Sequence, residues 1–204
     1  MKLTDRLVRG PYGSLEAFLD QFGMQKREDG TLLVGVDGYR GSGKSSLVRE
    51  MARRESDTLT IHMDGFFLPT GQRPLDIPDG SYGVDYDWER LRDQVLRPLS
   101  EGREASYQLW NWEERRLGPF RTIPVGRTVI VEGLYTLRRE LIGFYDLTIW
   151  MDCPEKTRLK RLLERNGAEF QAVWEKDWAP AEALYTNLDD PREGADLVIA
   201  SRGD

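Results

Sequence analysis

Eight residues constrain this chain more than any others: Gly38-Tyr39-Arg40-Gly41-Ser42-Gly43-Lys44-Ser45 fits G-x-x-x-x-G-K-[ST] at every defined position. The apolar run Leu32-Leu33-Val34-Gly35-Val36 precedes it, and Leu47, Val48, Met51 and Ala52 follow at helical spacing. Strand, glycine-rich turn and helix start, in that order, make a phosphate cradle. The glycines let backbone N–H groups curl around phosphate oxygens, and the helix N-terminus adds positive potential. Gly38, Gly41, Ser42, Gly43, Lys44, Ser45 and Ser46 are therefore expected to bind a nucleotide. Lys44 would reach the β/γ-phosphates and the Ser45 hydroxyl would ligate magnesium, which makes Mg2+ and ATP the expected cofactors. Tyr39 and Arg40 are bulkier than the small residues often found here; such a loop binds through its backbone, so their side chains are given no role.

The remaining strand candidates are Leu59-Thr60-Ile61-His62-Met63, Thr128-Val129-Ile130-Val131, Leu147-Thr148-Ile149-Trp150-Met151 and Leu197-Val198-Ile199-Ala200. Most are apolar throughout, as strands covered on both faces of a parallel sheet should be. Helical patterns alternate with them: Leu15, Phe18, Leu19 and Phe22 behind a Ser14 N-cap, then Trp88, Leu91, Val95 and Leu96, then Leu159, Leu162 and Leu163. The expectation is a three-layer α/β/α sandwich around a mostly parallel five-stranded sheet. Residues 1–204 are read as one unit. Within it, 68–121 is an insertion that covers a substrate, rich in Pro, Gly, Trp, Tyr and Arg, and 155–180 is a lid-like segment.

Composition narrows the partners. With 29 Lys+Arg against 35 Asp+Glu the formal charge is -6, which repels a polyanion unless basic residues cluster, so no nucleic acid is expected. The longest apolar runs are about half a membrane span at most, so no membrane partner is expected either. The start, Met1-Lys2-Leu3-Thr4-Asp5-Arg6, builds no apolar signal core and points to the cytoplasm. The single Cys153 and single His62 are too few for a Cys/His zinc cluster. Cys153 reads as a half-buried thiol at a strand end, and His62, among apolar neighbours inside a strand, reads as structural. Oligomeric state stays open, a homo-oligomer included.

Two carboxylates fall at strand ends, Asp64 after Leu59–Met63 and Glu132 after Thr128–Val131. Ligands of an open parallel sheet sit at the carboxyl ends of its strands, where the phosphate loop also falls. One carboxylate facing magnesium and another near an acceptor hydroxyl is what phosphoryl transfer needs. Arg158, Arg161 and Arg165 recur at i, i+3 and i+7 and form a helix stripe that could fold over a γ-phosphate. A solvated face paired with Glu155 and Glu164 is the plain alternative. Tyr107, Trp110, Asn111 and Trp112, with Asp85 and Asp87 upstream, are the candidates for holding the substrate: aromatics stack on planar or sugar faces and carboxylates hold hydroxyls.

In order along the chain, Val36-Asp37-Gly38 to Ser46, His62-Met63-Asp64-Gly65-Phe66-Phe67, Asp85-Tyr86-Asp87-Trp88, Trp110-Asn111-Trp112, Ile130-Val131-Glu132-Gly133, Asp146 to Asp152 and Thr157-Arg158-Leu159-Lys160-Arg161 resemble the uridine kinase and phosphoribulokinase-type P-loop kinases, in particular the uridine kinase-like proteins. The resemblance implies a nucleoside-kinase-like P-loop NTPase fold. It implies Asp64 as base for the acceptor hydroxyl, Glu132 near magnesium, and the arginines, Arg161 foremost, as a mobile lid. The activity it implies is transfer of the γ-phosphate of ATP to a small hydroxyl-bearing substrate, a nucleoside first. Pantothenate, a sugar or a vitamin-like alcohol is the alternative acceptor, and a catalytically silent nucleotide-binding regulator the alternative class. A GTP-binding switch is disfavoured by the lack of Asn-Lys-x-Asp and of a strand-end Asp-x-x-Gly.

Overall fold

A computed structural model of the protein describes residues 7–72 and 80–200. The first six residues, on which the reading of no signal core rests, and part of the 68–121 insertion lie outside the described residues. In chain order the strands are β1 (Leu7–Arg9), β2 (Leu32–Gly38), β3 (Thr58–His62), β4 (Ala105–Tyr107), β5 (Trp110–Asn111), β6 (Arg116–Leu117), β7 (Arg121–Ile123), β8 (Thr128–Glu132), β9 (Leu147–Asp152) and β10 (Leu197–Ala200).

The main sheet has the order β1-β10-β9-β2-β8-β3, with β10, β9, β2, β8 and β3 parallel and β1 antiparallel to β10. The five parallel strands are those expected; the sixth, β1, corrects the count. Three residues are too short for a periodicity to register, and the pairing of Val8 with Ile199 joins opposite ends of the sequence.

Alternation along each strand splits the core in two. Leu32, Val34, Val36, Ile130, Ile149 and Met151 pack under α1 (Leu15–Gln21) and α2 (Lys44–Arg54). Leu33, Val129, Val131 and Trp150 face the other layer. That layer contains α3 (Trp88–Leu91), which continues through a π turn at Arg92–Leu96 into α4 (Arg97–Ser100), and Tyr185 of the final long helix. Ser14 caps α1 as expected, its Oγ accepting from the Ala17 amide at 3.1 Å.

Between residues 105 and 123 two two-stranded pieces are nested, β4 with β7 and β5 with β6. After β9, α5 (Glu155–Asn166) is followed by α6 (Phe170–Val173), whose helix runs through a π turn at Trp174–Trp178 into α7 (Ala179–Asp189). A short α8 (Pro191–Gly194) precedes β10. Among the described residues no helix is long and apolar enough to cross a membrane.

Candidate active site

The phosphate loop leaves β2 at Gly38 and enters α2 at Lys44, with Gly41 at φ +78° and Gly43 at φ +101°. Both angles lie where side chains are strained. A Cβ on Gly41 would also come within 2.9 Å of the Arg158 carbonyl oxygen, so the loop closes on α5 only with glycine there. No side chain caps the N-terminus of the eleven-residue α2, which leaves its first amides facing the loop. Lys44 folds back over that loop, Nζ donating to the carbonyls of Gly38 at 2.7 Å and Tyr39 at 3.1 Å. Burial lowers its pKa, against the attraction of Asp37, Glu132 and Glu182.

Beside it, the Ser45 hydroxyl donates to Glu132 Oε1 at 2.9 Å. The same oxygen lies 2.7 Å from His62 Nδ1. Burial works to raise the Glu132 pKa, but the His62 hydrogen bond, the Lys44 charge and the Ser45 hydroxyl together hold it below the usual carboxylate range. His62, read as structural, is the histidine partner of Glu132. Its side chain is 63% exposed, because β3 is the sheet's edge and His62 is its last residue, opposite Glu132 in register. The Glu132 hydrogen bond, ahead of the opposing effect of burial, raises its pKa.

Asp64 sits one turn beyond β3, in a 3-10 segment at Met63–Phe66, and its Oδ1 accepts from the Tyr86 hydroxyl at 3.1 Å. The strand carrying Asp64 does not flank the phosphate-loop strand: β8 lies between them, so Glu132 is the nearer carboxylate and Asp64 the farther. Sequence order does not reveal this, because the crossover from β2 to β3 skips a place that β8 fills much later in the chain.

The arginine stripe separates. Arg158 is buried, Nη1 donating to Glu182 Oε2 at 3.1 Å, with its guanidinium 4.2 Å from the Tyr39 ring centre. Arg161 reaches the loop, Nη1 lying 3.2 Å from the Gly41 carbonyl and 3.6 Å from Cys153 Sγ. Cys153 is buried rather than half-buried. Arg165 is exposed near the end of α5.

The substrate-side candidates also spread out. Tyr107 is buried and stacks on Phe66, Trp110 is buried, and Trp112 is 54% exposed with its ring 4.8 Å from Phe67. Asn111 Oδ1 accepts from the Glu113 and Glu114 amides, a turn-forming arrangement. Asp87 caps α3 through the Arg90 amide and binds the Arg90 guanidinium at 2.9 Å; the Asp85 carbonyl accepts from the Leu68 amide. Of this set, Asp87 alone lines a cavity of about 510 Å3 bounded by Tyr82, Tyr86, Trp88, Arg138 and Leu188. Tyr86 belongs to both places, lining the cavity and donating its hydroxyl to Asp64.

Three groups went unassigned in the sequence. Asp37, fully buried, accepts from the Gly38 amide at 2.6 Å, the Leu137 amide at 2.8 Å and the Tyr185 hydroxyl at 2.7 Å. Burial pushes its carboxyl up to about 6 against Lys44 and those three hydrogen bonds. An acid inside an apolar strand was the available signal. Glu182 is buried too, with Oε1 accepting from the amide and Nη1 of Arg40 and Oε2 from Arg158. Nothing local marks it. Arg40 did carry a signal, a charged residue at a loop position that usually holds a small one.

No family model matches the chain. A uridine kinase of Borrelia duttonii is 27% identical over 180 residues, covering 84% of this chain and 87% of that one. A phosphoribulokinase of Synechocystis is 24% identical over 190 residues, 86% of this chain but 55% of its own length. Among solved structures, one of a possible uridine kinase from Bacillus stearothermophilus superposes with TM-score 0.65 at 23% identity, covering 89% of this chain and 95% of that one. A D-glycerate 3-kinase from Cryptococcus neoformans superposes at TM-score 0.53 with 13% identity, over 83% and 89% of the two chains. Similarity to uridine kinases along most of the chain, together with this fold, supports a P-loop kinase of the uridine kinase/phosphoribulokinase type, a phosphotransferase acting on an alcohol group of a small metabolite.

Proposed function

We propose that the protein uses Mg-ATP to phosphorylate a hydroxyl of a small metabolite, a nucleoside being the first acceptor to test. One observation carries the reading: Lys44, Ser45 and Glu132 meet at the mouth of the phosphate loop, and Asp64 stands at the end of the next strand but one. The glycine cradle and the uncapped α2 amides, with Ser42, Ser45 and Ser46 at their rim, fit a polyphosphate. The Ser45 hydroxyl and a Glu132 oxygen are hard oxygen donors, few in number, which suits a magnesium ion that takes most of its ligands from phosphate and water. When bound, the ion would neutralise charge on the β- and γ-phosphates.

In this reading Lys44 reaches the same phosphates and Arg161 adds a second cation beside Gly41. Asp64, oriented by Tyr86, positions the acceptor hydroxyl and takes its proton; orientation matters more than basicity because that proton leaves late in a loose transition state. The cavity of about 510 Å3 behind Tyr86 has the volume of a small-metabolite pocket, with Asp87 on its wall. A second reading, a non-nucleoside alcohol, is supported by the burial of Tyr107 and Trp110, which leaves Trp112 as the exposed aromatic of that set.

The test is ADP release from Mg-ATP against a panel of nucleosides, sugars, hydroxy acids and vitamin-like alcohols. ADP should form only when one acceptor class is added. Acceptor-independent release, or none with any compound, would contradict the proposal.

A further inference from the structure

Arg40 is the second variable residue of G-x-x-x-x-G-K-S, and its side chain is held in place on several sides. Its Nη1 lies 3.1 Å from Glu182 Oε1, which also accepts from its own backbone amide at 3.2 Å. Its guanidinium sits 4.2 Å from the ring centre of Trp178, and the Tyr135 hydroxyl is hydrogen-bonded to it. A guanidinium fixed by a carboxylate, an indole face and a phenol has lost most of its rotamer freedom before any ligand arrives.

Glu182 is the carboxylate for both Arg40 and Arg158, so Arg40 has only a shared counter-charge, while Asp37 and Glu132 also attract Lys44. Lys44, on the same loop, feels Arg40 as a further positive charge, and Tyr86, the partner of Asp64, lies in the field of Arg40. Like charges held together on one short loop are unfavourable unless an anion comes between them. The group that lies between Lys44 and a hydroxyl at Asp64 is the phosphoryl being transferred, and a planar guanidinium fork matches its oxygens.

We propose that Arg40 contacts the phosphoryl group in transfer, as an arginine supplied by the phosphate loop itself and aimed by Glu182, Trp178 and Tyr135. The inference rests on the Mg-ATP reading above and specifies which arginine touches the γ-phosphate. In the transfer, the acceptor oxygen forms the new bond to phosphorus as its proton passes to Asp64. The bond from phosphorus to the bridging oxygen breaks, and its electron pair leaves with ADP. Arg40 only donates hydrogen bonds.

The experiment is calorimetric titration of Mg-ATP and Mg-ADP into wild type, Arg40→Ala and Arg40→Lys, with melting temperature and steady-state kinetics alongside. ADP lacks the phosphoryl at issue, so Arg40→Ala should weaken Mg-ATP about tenfold or more and leave Mg-ADP within about twofold, the size expected for one charge-assisted contact. Arg40→Lys, which keeps the charge and loses the fork, should fall between, and it carries the test should the alanine variant fail to fold. Equal weakening of both nucleotides, the signature of a distorted loop, would overturn the proposal. So would unchanged affinity for both with only a raised acceptor KM, the result expected if Arg40 serves the acceptor. Wild type that binds neither nucleotide would remove the Mg-ATP reading itself.

Discussion

The floor and the wall of the candidate site are built differently. The floor, residues 37–46, is contiguous in sequence and made of backbone: three positive-φ glycines, uncapped helix amides and a lysine folded over two loop carbonyls. The wall gathers Asp64, Tyr82 and Tyr86, backed by the buried Tyr135 and Tyr185, from four separate segments and holds them by side-chain contact. The amides of a backbone site bind whatever side chains its variable positions carry, so Arg40, proposed above to touch the phosphoryl group, is the side-chain exception on the floor, whereas a side-chain site changes its ligand with each substitution. The floor should therefore decide whether nucleotide binds, and the wall what receives the phosphate.

The comparison breaks most directly at Lys44. Lys44→Ala should lower turnover by more than about a hundredfold while the melting temperature stays near wild type, since one preorganised electrostatic contact is lost and no core is disturbed. Near-normal turnover in the folded variant would remove the floor from the chemistry.

A wall substitution should be milder and selective. Tyr86→Phe removes the hydroxyl that orients Asp64 and should lower kcat about tenfold, the equivalent of one hydrogen bond of roughly 1.4 kcal/mol, without changing Mg-ATP affinity. A matching loss of ATP affinity would join wall to floor and erase the distinction.

The smallest effect sharpens the boundary between them, where Asp37 ties Gly38 to Leu137 and Tyr185. Burial raises its pKa from 3.8 to about 6, so the folded protein holds this proton more tightly than the unfolded chain does. The stability it contributes is full below 3.8 and is lost as pH rises through about 6. Melting temperatures of wild type and Asp37→Asn across that range should show wild type losing ground to the variant as pH rises. Parallel curves would mean that Asp37 titrates like an exposed acid.

The same division explains what could be read from the sequence. The phosphate loop is local, so its pattern pointed to Lys44 and Ser45, and strand-end placement pointed to Glu132, which the structure sets against Ser45, and to Asp64, which it sets against Tyr86. β2, β8 and β9 were legible because they are apolar on both faces. Strand order was not, since β8 enters between β2 and β3 from far along the chain. Glu182 could not be found, because a helical glutamate looks solvated until Arg40 and Arg158 close on it. His62 read as structural because its neighbours are apolar; its exposure could not be read, because it is the last residue of a strand whose place at the sheet's edge is not encoded locally.

Asp64→Asn, measured for both Mg-ATP affinity and turnover, tests the separation of floor from wall most directly. Asp64 touches Tyr86 and stands one strand away from the phosphate-loop strand's nearer neighbour, so the account predicts Mg-ATP affinity within about threefold of wild type and turnover reduced about a hundredfold, a loss within the range of general-base removal. Weakened Mg-ATP binding in step with turnover would place Asp64 on the metal instead, and retained turnover would contradict both assignments.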